Sequence, residues 1–223
     1  MLKGIPEFRK FREVVDDIRI LRNRTLIRTL YLTAARVSEI VTKTSPWERK
    51  HGQTKPLGNY LDFGFTDFKN VKVLLIKIAL AKRREKLKAK DFRVVALPCK
   101  LEYEPWILDI LKYMQARIME NKRPSFDLTR QRVGQIVKKE LHMLGSNVNP
   151  NKLRTYRIAH LVKEYGFDQY DLMAYLGMQI RTSPKLTELG IIDTSPTSAV
   201  SRYFSKLLKP IYRVRNFEAK RLG

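Results

Sequence analysis

The sequence predicts a mainly helical domain that carries one small antiparallel β-sheet. Apolar residues recur at three- and four-residue steps over most of the 223 residues, which is the period of amphipathic helices. Between residues 71 and 98 that period gives way to β-branched, alternating stretches. No internal repeat, low-complexity segment or clear linker interrupts the chain, so we expect a single domain over residues 1–223.

The N-terminal segment is expected to be helical. A first helix is predicted from about Glu7 to Asn23 because its apolar residues fall on one helical face, namely Phe8, Phe11, Val14, Val15, Ile18 and Leu21. A second helix is expected from Thr25 to about Ala34, and "RVSEIVTK" predicts a short third one. Residues 43–62 hold proline, glycine and mixed charge without a period, which indicates a loop.

Two strands are expected after this loop. The stretches "VKVLLIKIAL" (71–80) and "FRVVALP" (92–98) are β-branched and alternating. The basic run "AKRREKLKAKD" separates them. We therefore predict two antiparallel strands joined by a lysine-rich loop.

The helical period returns after Pro98. Helices are expected around residues 106–118 and 133–141. A longer helix is predicted from Asn149, which is in an N-cap position before Pro150, to Gly166. Shorter helices are expected in "DQYDLMAYLG", which ends at Gly177, and in "AVSRYFSKLL", with the loop-like insert "QIRTSPKLTELGIIDTSPTS" between them.

The charge of the chain points to a polyanionic partner. Lys and Arg number 45 against 22 Asp and Glu, so the formal net charge is +23, and 43% of the residues are hydrophobic, enough for a packed core. No apolar run is long enough to span a bilayer and the first residues show no signal-peptide run, so nucleic acid in the cytoplasm is favoured over a membrane surface. One cysteine and three scattered histidines argue against a disulfide framework and a zinc site.

Several cationic or nucleophilic residues fall within ordered segments. Asn151 and Arg154 are three apart near the predicted helix start, where free backbone N–H groups and the helix dipole favour an anion. Two arginines that converge on one phosphate would hold its non-bridging oxygens by forked hydrogen bonds. Arg36, taken alone, is interpreted as a surface arginine whose stem lies on apolar residues while its charge reaches solvent, or as an ion-pair partner of Glu39.

The order of these segments resembles that of the tyrosine recombinases, or phage integrases. "LYLTAARVSEI" resembles the first arginine box of the family, with Arg36 at the arginine position and Ala34 where glycine is common. "VNPNKLRTYRIAHLVKEYGFDQYDLMAYLGM" resembles the second box, with Arg154 at its arginine. "SRYFSKL" resembles the segment of the nucleophilic tyrosine, here Tyr203. The resemblance covers about residues 20 to 208 and is strongest to archaeal or archaeal-virus integrases.

This resemblance implies the tyrosine recombinase catalytic-domain fold and a reaction on double-stranded DNA that uses no metal or cofactor. Tyr203 would form a 3′-phosphotyrosyl bond, while Arg36 and Arg154 would hold the scissile phosphate. A loop lysine would protonate the leaving 5′-oxygen. Lys82 is the preferred candidate because it directly follows the first strand, and three further lysines remain alternatives, Lys86, Lys88 and Lys90. Assembly into a dimer or tetramer on DNA is also implied.

The chain departs from the family pattern at three places. Asn151 stands where the family has a histidine, and it cannot act as an acid or base near neutral pH. Met178 replaces a histidine or tryptophan and offers no useful donor. Too little sequence precedes Arg36 for a separate N-terminal core-binding domain, so none is expected. One lost transition-state hydrogen bond lowers the rate by roughly 10²- to 10³-fold.

Simpler interpretations of these residues stay open. The lysine run is also typical of a solvated loop, Asn151 of a helix start, and Met178 of ordinary packing. His160, at the helix histidine of the second box, is expected to be a hydrogen-bonded core residue. Tyr212 competes with Tyr203 but follows a proline in the basic tail. A catalytically degenerate DNA-binding or assembly protein, an RNA-associated protein and a type IB topoisomerase are the alternative functions.

Overall fold

The chain is mainly helical and contains a three-stranded antiparallel sheet, as the sequence predicts. The structure is a computed structural model, and it describes residues 4–51, 56–81, 91–178 and 196–211, without the side chains of 196–199 and 201. The helices within these ranges are α1 (Phe8–Asp16), α2 (Leu21–Thr33), α3 (Val37–Ile40), α4 (Pro46–Lys50), α5 (Ile107–Met119), α6 (Arg130–Glu140), α7 (Pro150–Tyr165), α8 (Gln169–Leu176) and α9 (Pro196–Leu207). The strands are β1 (Asp62–Phe68), β2 (Val71–Ala79) and β3 (Phe92–Pro98).

The predicted first helix, Glu7 to Asn23, is two helices in the structure. Helix α1 ends at Asp16, and Ile20, whose ψ of 108° is extended, directly precedes α2. The carbonyl oxygen of Ile18 accepts a hydrogen bond from the Arg24 side chain (2.8 Å). Leu21 is exposed and does not belong to the buried face, so the apolar period ends at Ile18. The boundary error came from counting Leu21 with that face.

The sheet has the order β1-β2-β3, and both predicted strands are confirmed. The sequence did not predict β1, which pairs antiparallel with β2 from Asp62 opposite Lys77 to Phe68 opposite Val71. Most β1 residues are exposed, so the strand lacks a strong apolar alternation. A two-residue turn at Lys69 and Asn70 joins β1 to β2, and both residues have positive φ (48° and 62°).

The expected loop over residues 43–62 contains α4 and a 3₁₀ turn at Gly58–Tyr60. A capping box starts α4: the Ser45 N–H donates to Oε2 of Glu48 (2.8 Å), and the Glu48 N–H donates to Oγ of Ser45 (3.2 Å). This pattern of serine followed three residues later by glutamate is a helix-start signal. The loop prediction overlooked that signal.

Helix α7 follows the predicted boundaries because its end signals act as expected. The Asn149 side chain accepts a hydrogen bond from the Lys152 N–H (3.1 Å), and the helix ends at Gly166 with φ of 69°. The core forms where α2 packs against α5 and α7, while α8 and α9 pack against β3. Residues 179–195 of the predicted insert lie outside the described residues. In the described ranges, no helix is both long and apolar enough to cross a bilayer.

Candidate functional site

A cleft of about 840 Å³ lies where the first turns of four helices meet. We call it the cationic cleft. Its lining comes from α3, α4, α6 and α7 and comprises Arg36, Val37, Ser38, Ser45, Trp47, Glu48, Arg130, Gln131, Gly134, Asn149, Pro150 and Asn151. The cleft therefore joins parts of the chain that are far apart in sequence.

The two longer helices present their N-termini to the cationic cleft. In α6 the Thr129 side chain accepts from the Arg132 N–H (3.2 Å), and in α7 Asn149 plays the same role. These caps satisfy one N–H in each helix, and other first-turn N–H groups have no acceptor within their helix. Because the positive ends of the two helix dipoles add to the charges of Arg36 and Arg130, the cleft favours an anion.

Arg36 is held in place by a buried carboxylate. Its backbone N–H donates to Oε2 of Glu39 (2.9 Å), and its Nη1 lies 3.2 Å from Oε1 of the same residue. Glu39 is fully buried, whereas one third of the Arg36 side chain is exposed. Oε1 of Glu39 also accepts from the Ala81 N–H at the end of the β2 segment (3.3 Å). Arg36 is thus anchored at one end and accessible from the cleft.

Arg154 lies beside Arg36. Its Nη1 donates to the carbonyl oxygen of Ala34 (2.6 Å), two residues before Arg36. Burial and the neighbouring charges of Arg93 and Arg36 lower the pKa of Arg154 to about 10, while Glu39 acts in the opposite direction. Arg154 therefore stays protonated at neutral pH. A bound anion would relieve the repulsion between these cations.

Arg93, on β3, was not predicted from the sequence. It is buried and donates to the carbonyl oxygens of Thr33 (2.8 Å) and Tyr175 (2.9 Å), with Nη2 3.8 Å from Oε2 of Glu39. Burial lowers the pKa of Arg93. Among the described residues, the guanidinium groups of Arg36 and Arg93 thus share the carboxylate of Glu39, and Arg154 is close enough to feel its charge. The available signal in the sequence was a charged residue at a position of the apolar strand where the alternation predicts a buried side chain.

Gly177 makes the close packing around Arg93 possible. A Cβ atom added at Gly177 would lie 2.6 Å from Cβ of Arg93, and its φ of 64° is left-handed. Met178 follows this glycine and is exposed. The turn before Met178, where the resemblance places a histidine or tryptophan, therefore packs Gly177 against Arg93.

Tyr203 is buried at the outer edge of β3. Its hydroxyl accepts from the Ala96 N–H (3.0 Å) and donates to the carbonyl oxygen of Val94 (3.1 Å). Its ring centroid lies 5.1 Å from that of Tyr175. Burial raises the pKa of Tyr203. The structure thus places the Tyr203 hydroxyl on the sheet, and Tyr203 does not belong to the residues that line the cationic cleft.

Of the other predicted site residues, Asn151 lines the cationic cleft and its side chain is exposed. Lys82 lies outside the described residues, as do the alternative lysines at 86, 88 and 90 and the alternative nucleophile Tyr212. The geometry therefore unites Arg36, Arg154 and Asn151 around one end of α7 and leaves Tyr203 at the sheet.

His160 is a core residue, as expected. Its Nδ1 accepts from the Tyr31 hydroxyl (2.8 Å), and its Nε2 donates to the carbonyl oxygen of Pro6 (2.9 Å). Burial lowers the pKa of His160 to about 4, so the imidazole is neutral at physiological pH. These contacts link α7 to α2 and to the segment before α1.

The comparisons with known proteins give a structural neighbour. No family model matches the chain, and no curated protein matches it. Among solved structures it is similar to the XerH site-specific recombinase, crystallised with its difH substrate as a pre-cleavage complex. The TM-score is 0.44 and the identity 17%, over 88% of this chain and 47% of that one. The chain thus spans less than half the length of this neighbour.

Proposed function

We propose that this protein is a DNA strand-transfer enzyme of the tyrosine recombinase type, acting as a site-specific integrase or resolvase, with residues 1–223 as one catalytic domain. The observation that carries the proposal is the pairing of Arg36 and Arg154 beside the cationic cleft. Glu39 is the carboxylate that pairs with Arg36 and with Arg93, so the addition of Arg154 leaves an excess of positive charge that a DNA phosphate would neutralise. The net charge of +23 suits duplex DNA as the partner.

In this mechanism the phenol oxygen of Tyr203 attacks the scissile phosphorus as the bond to the 5′-oxygen breaks, and the phenol proton passes to solvent water. The products are a 3′-phosphotyrosyl bond and a free 5′-hydroxyl, whose proton comes from Lys82. A second 5′-hydroxyl later attacks the phosphotyrosyl bond, which restores the phosphodiester and the tyrosine. Arg36 and Arg154 stabilise the added charge of the transition state, and Asn151 donates a hydrogen bond.

Cleavage requires Tyr203 to leave β3. In the described state its hydroxyl satisfies two backbone groups, and none of its side chain is exposed. Breaking those contacts costs about 1–3 kcal/mol, which DNA binding has to supply. Helix α9, which carries Tyr203, therefore has to shift relative to β3 when the enzyme engages its substrate.

A DNA-binding or assembly protein without catalysis is the second candidate function. The burial of Tyr203 favours it, as does Met178, which offers no useful hydrogen-bond donor near the arginines. This protein would bind duplex DNA with steep salt dependence and cleave nothing.

Covalent trapping on nicked duplex DNA separates the two candidates. The protein is incubated with a library of nicked duplexes and denatured, and adducts are counted on a gel. We expect an adduct that is lost in Tyr203→Phe and in Arg154→Ala, with DNA binding retained, and kept in Tyr170→Phe, which alters an exposed tyrosine on α8. DNA binding by the unaltered protein without any adduct would establish the second candidate.

Lys82 is tested by a change of leaving group. Sulfur in place of the bridging 5′-oxygen gives a thiolate that leaves without a proton, because thiols are far more acidic than alcohols. We expect this substrate to restore cleavage by Lys82→Ala and to leave Arg154→Ala inactive. Rescue of the variant at position 86, 88 or 90 instead would transfer the general-acid role to that lysine.

Assembly into a dimer or tetramer is part of the proposal. If Tyr203 is delivered to a neighbouring subunit, mixing Arg154→Ala protein with Tyr203→Phe protein restores cleavage, since a mixed assembly contains one intact set of residues. If each parent and the mixture are all inactive while both variants bind DNA, attack occurs within one subunit.

A further inference from the structure

Trp47 is an exposed aromatic residue within the cationic cleft. It lies on α4, lines the cleft together with Arg36 and Arg130, and has 57% of its surface exposed. The mechanism proposed above gives it no role. Trp47 is a candidate binding residue because its exposed indole lies in a cleft and can offer a ring face to a ligand there.

The indole ring has a defined support. The His51 ring stacks on it at a centroid distance of 4.4 Å and an interplanar angle of 26°, and His51 Nδ1 donates to the Trp47 carbonyl oxygen (2.8 Å). The capping box at Ser45 fixes the start of α4, and Glu48 lies 3.5 Å from Arg130 of α6. One face of the indole is thus occupied, and the exposed area belongs to the rest of the ring.

The surroundings of Trp47 select an anionic aromatic ligand. Arg36, Arg130 and the N-termini of α6 and α7 contribute positive charge, while Glu48 is the acidic residue of the lining. Arg36 and Arg130 each pair with a glutamate, Glu39 and Glu48, and an apolar protein partner would add no negative charge to balance the two helix N-termini beside them. A nucleotide meets both needs, because its phosphate pairs with the cations and its base stacks on the indole. A cleft of about 840 Å³ is of the size that holds ligands of this class.

We propose that Trp47 is a stacking platform for an unpaired nucleobase of the DNA substrate, next to the phosphate held at Arg36. This inference rests on the proposed function, and it specifies the substrate as DNA that is unpaired or opened at the bound site. A paired base is already stacked on its neighbours and cannot offer its face to a protein side chain. Trp47 is then the residue that distinguishes opened DNA from intact duplex.

Tryptophan fluorescence reports this contact directly. The chain has two tryptophans, and Trp106 is buried with its Nε1 donating to Asp16 (2.6 Å). The protein is titrated with a duplex that carries three mismatched thymines and with a fully paired duplex of equal length. We expect the mismatched duplex to quench the emission and to bind about 5- to 100-fold more tightly.

Two variants assign the effect. Trp47→Ala should reduce the ratio of the two affinities to near one and abolish the quenching, while the affinity for paired duplex changes little. Tyr60→Ala, which removes an exposed aromatic outside the cleft lining, should keep both effects.

Equal affinity for the two duplexes, or a preference that persists in Trp47→Ala, overturns the inference and leaves the covalent chemistry untouched. Failure to bind either duplex overturns the inference together with the proposed function. The trapping assay needs no fluorescence signal, so it judges the proposed function independently.

Discussion

Removing the Tyr203 hydroxyl by Tyr203→Phe tests how firmly this residue is held at the edge of the sheet. The substitution leaves the Ala96 N–H without its acceptor and the Val94 carbonyl without its donor. The unpaired Ala96 N–H costs about 1–3 kcal/mol, and the hydrogen bond lost by the Val94 carbonyl costs about 0.5–1.5 kcal/mol. The free energy of unfolding should therefore fall by about 2–4 kcal/mol.

Equilibrium unfolding in urea measures this loss. With a urea dependence of about 2 kcal/mol per molar, the midpoint should fall by about 1 to 2 M with the slope unchanged. Tyr170→Phe is the matched control, because that tyrosine is on α8 and half exposed, and its midpoint should stay within about 0.3 M. A Tyr203→Phe variant as stable as the unaltered protein would refute the idea that the hydroxyl is bound to β3.

Three further substitutions test other features. The pKa of His160 is lowered to about 4, so the folded protein favours the neutral imidazole, and the free energy of unfolding is highest above pH 6.5. About 2 kcal/mol of that free energy is lost by pH 5. Urea titrations at the two pH values should find this decline absent in His160→Gln. Asn70→Gly should raise the free energy of unfolding by about 0.5–1 kcal/mol, since glycine suits its positive φ, and an unchanged midpoint would contradict that turn geometry. Gly177→Ala should lower the free energy of unfolding by about 2–4 kcal/mol, because the added Cβ clashes with Arg93. Gly166→Ala, whose added Cβ meets no atom, should lower it by about 1 kcal/mol. Equal losses in the two variants would contradict the contact between Gly177 and Arg93.

The sequence predicted elements whose signals are local. Helix α7 begins and ends where Asn149, Pro150 and Gly166 indicate, because capping depends on residues within one turn. Strands β2 and β3 were found because their alternating apolar residues are buried. Strand β1 was missed because its stability comes from pairing with β2 rather than from burial of its own side chains.

The site was predictable only in part. Pairing of Arg36 with Glu39 follows from their separation of three residues, and it is present in the structure. The contact of Arg93 with the same carboxylate depends on how β3 meets α3, which no local pattern encodes. The Tyr203 hydroxyl bonds likewise depend on the packing of α9 against β3. Tertiary contacts therefore decide which charged and hydroxyl groups meet.

Glu39 links two candidate catalytic residues that are far apart along the chain, Arg36 and Lys82. One of its oxygens contacts the Arg36 guanidinium and also accepts from the Ala81 N–H, directly before Lys82 in sequence. Any displacement of this carboxylate would therefore move both Arg36, the proposed phosphate-binding cation, and Ala81. Glu39→Gln, which keeps the shape and removes the charge, would loosen Arg36 and leave the Ala81 hydrogen bond largely intact, so it would separate the loss of the Arg36 counter-charge from any change at Ala81.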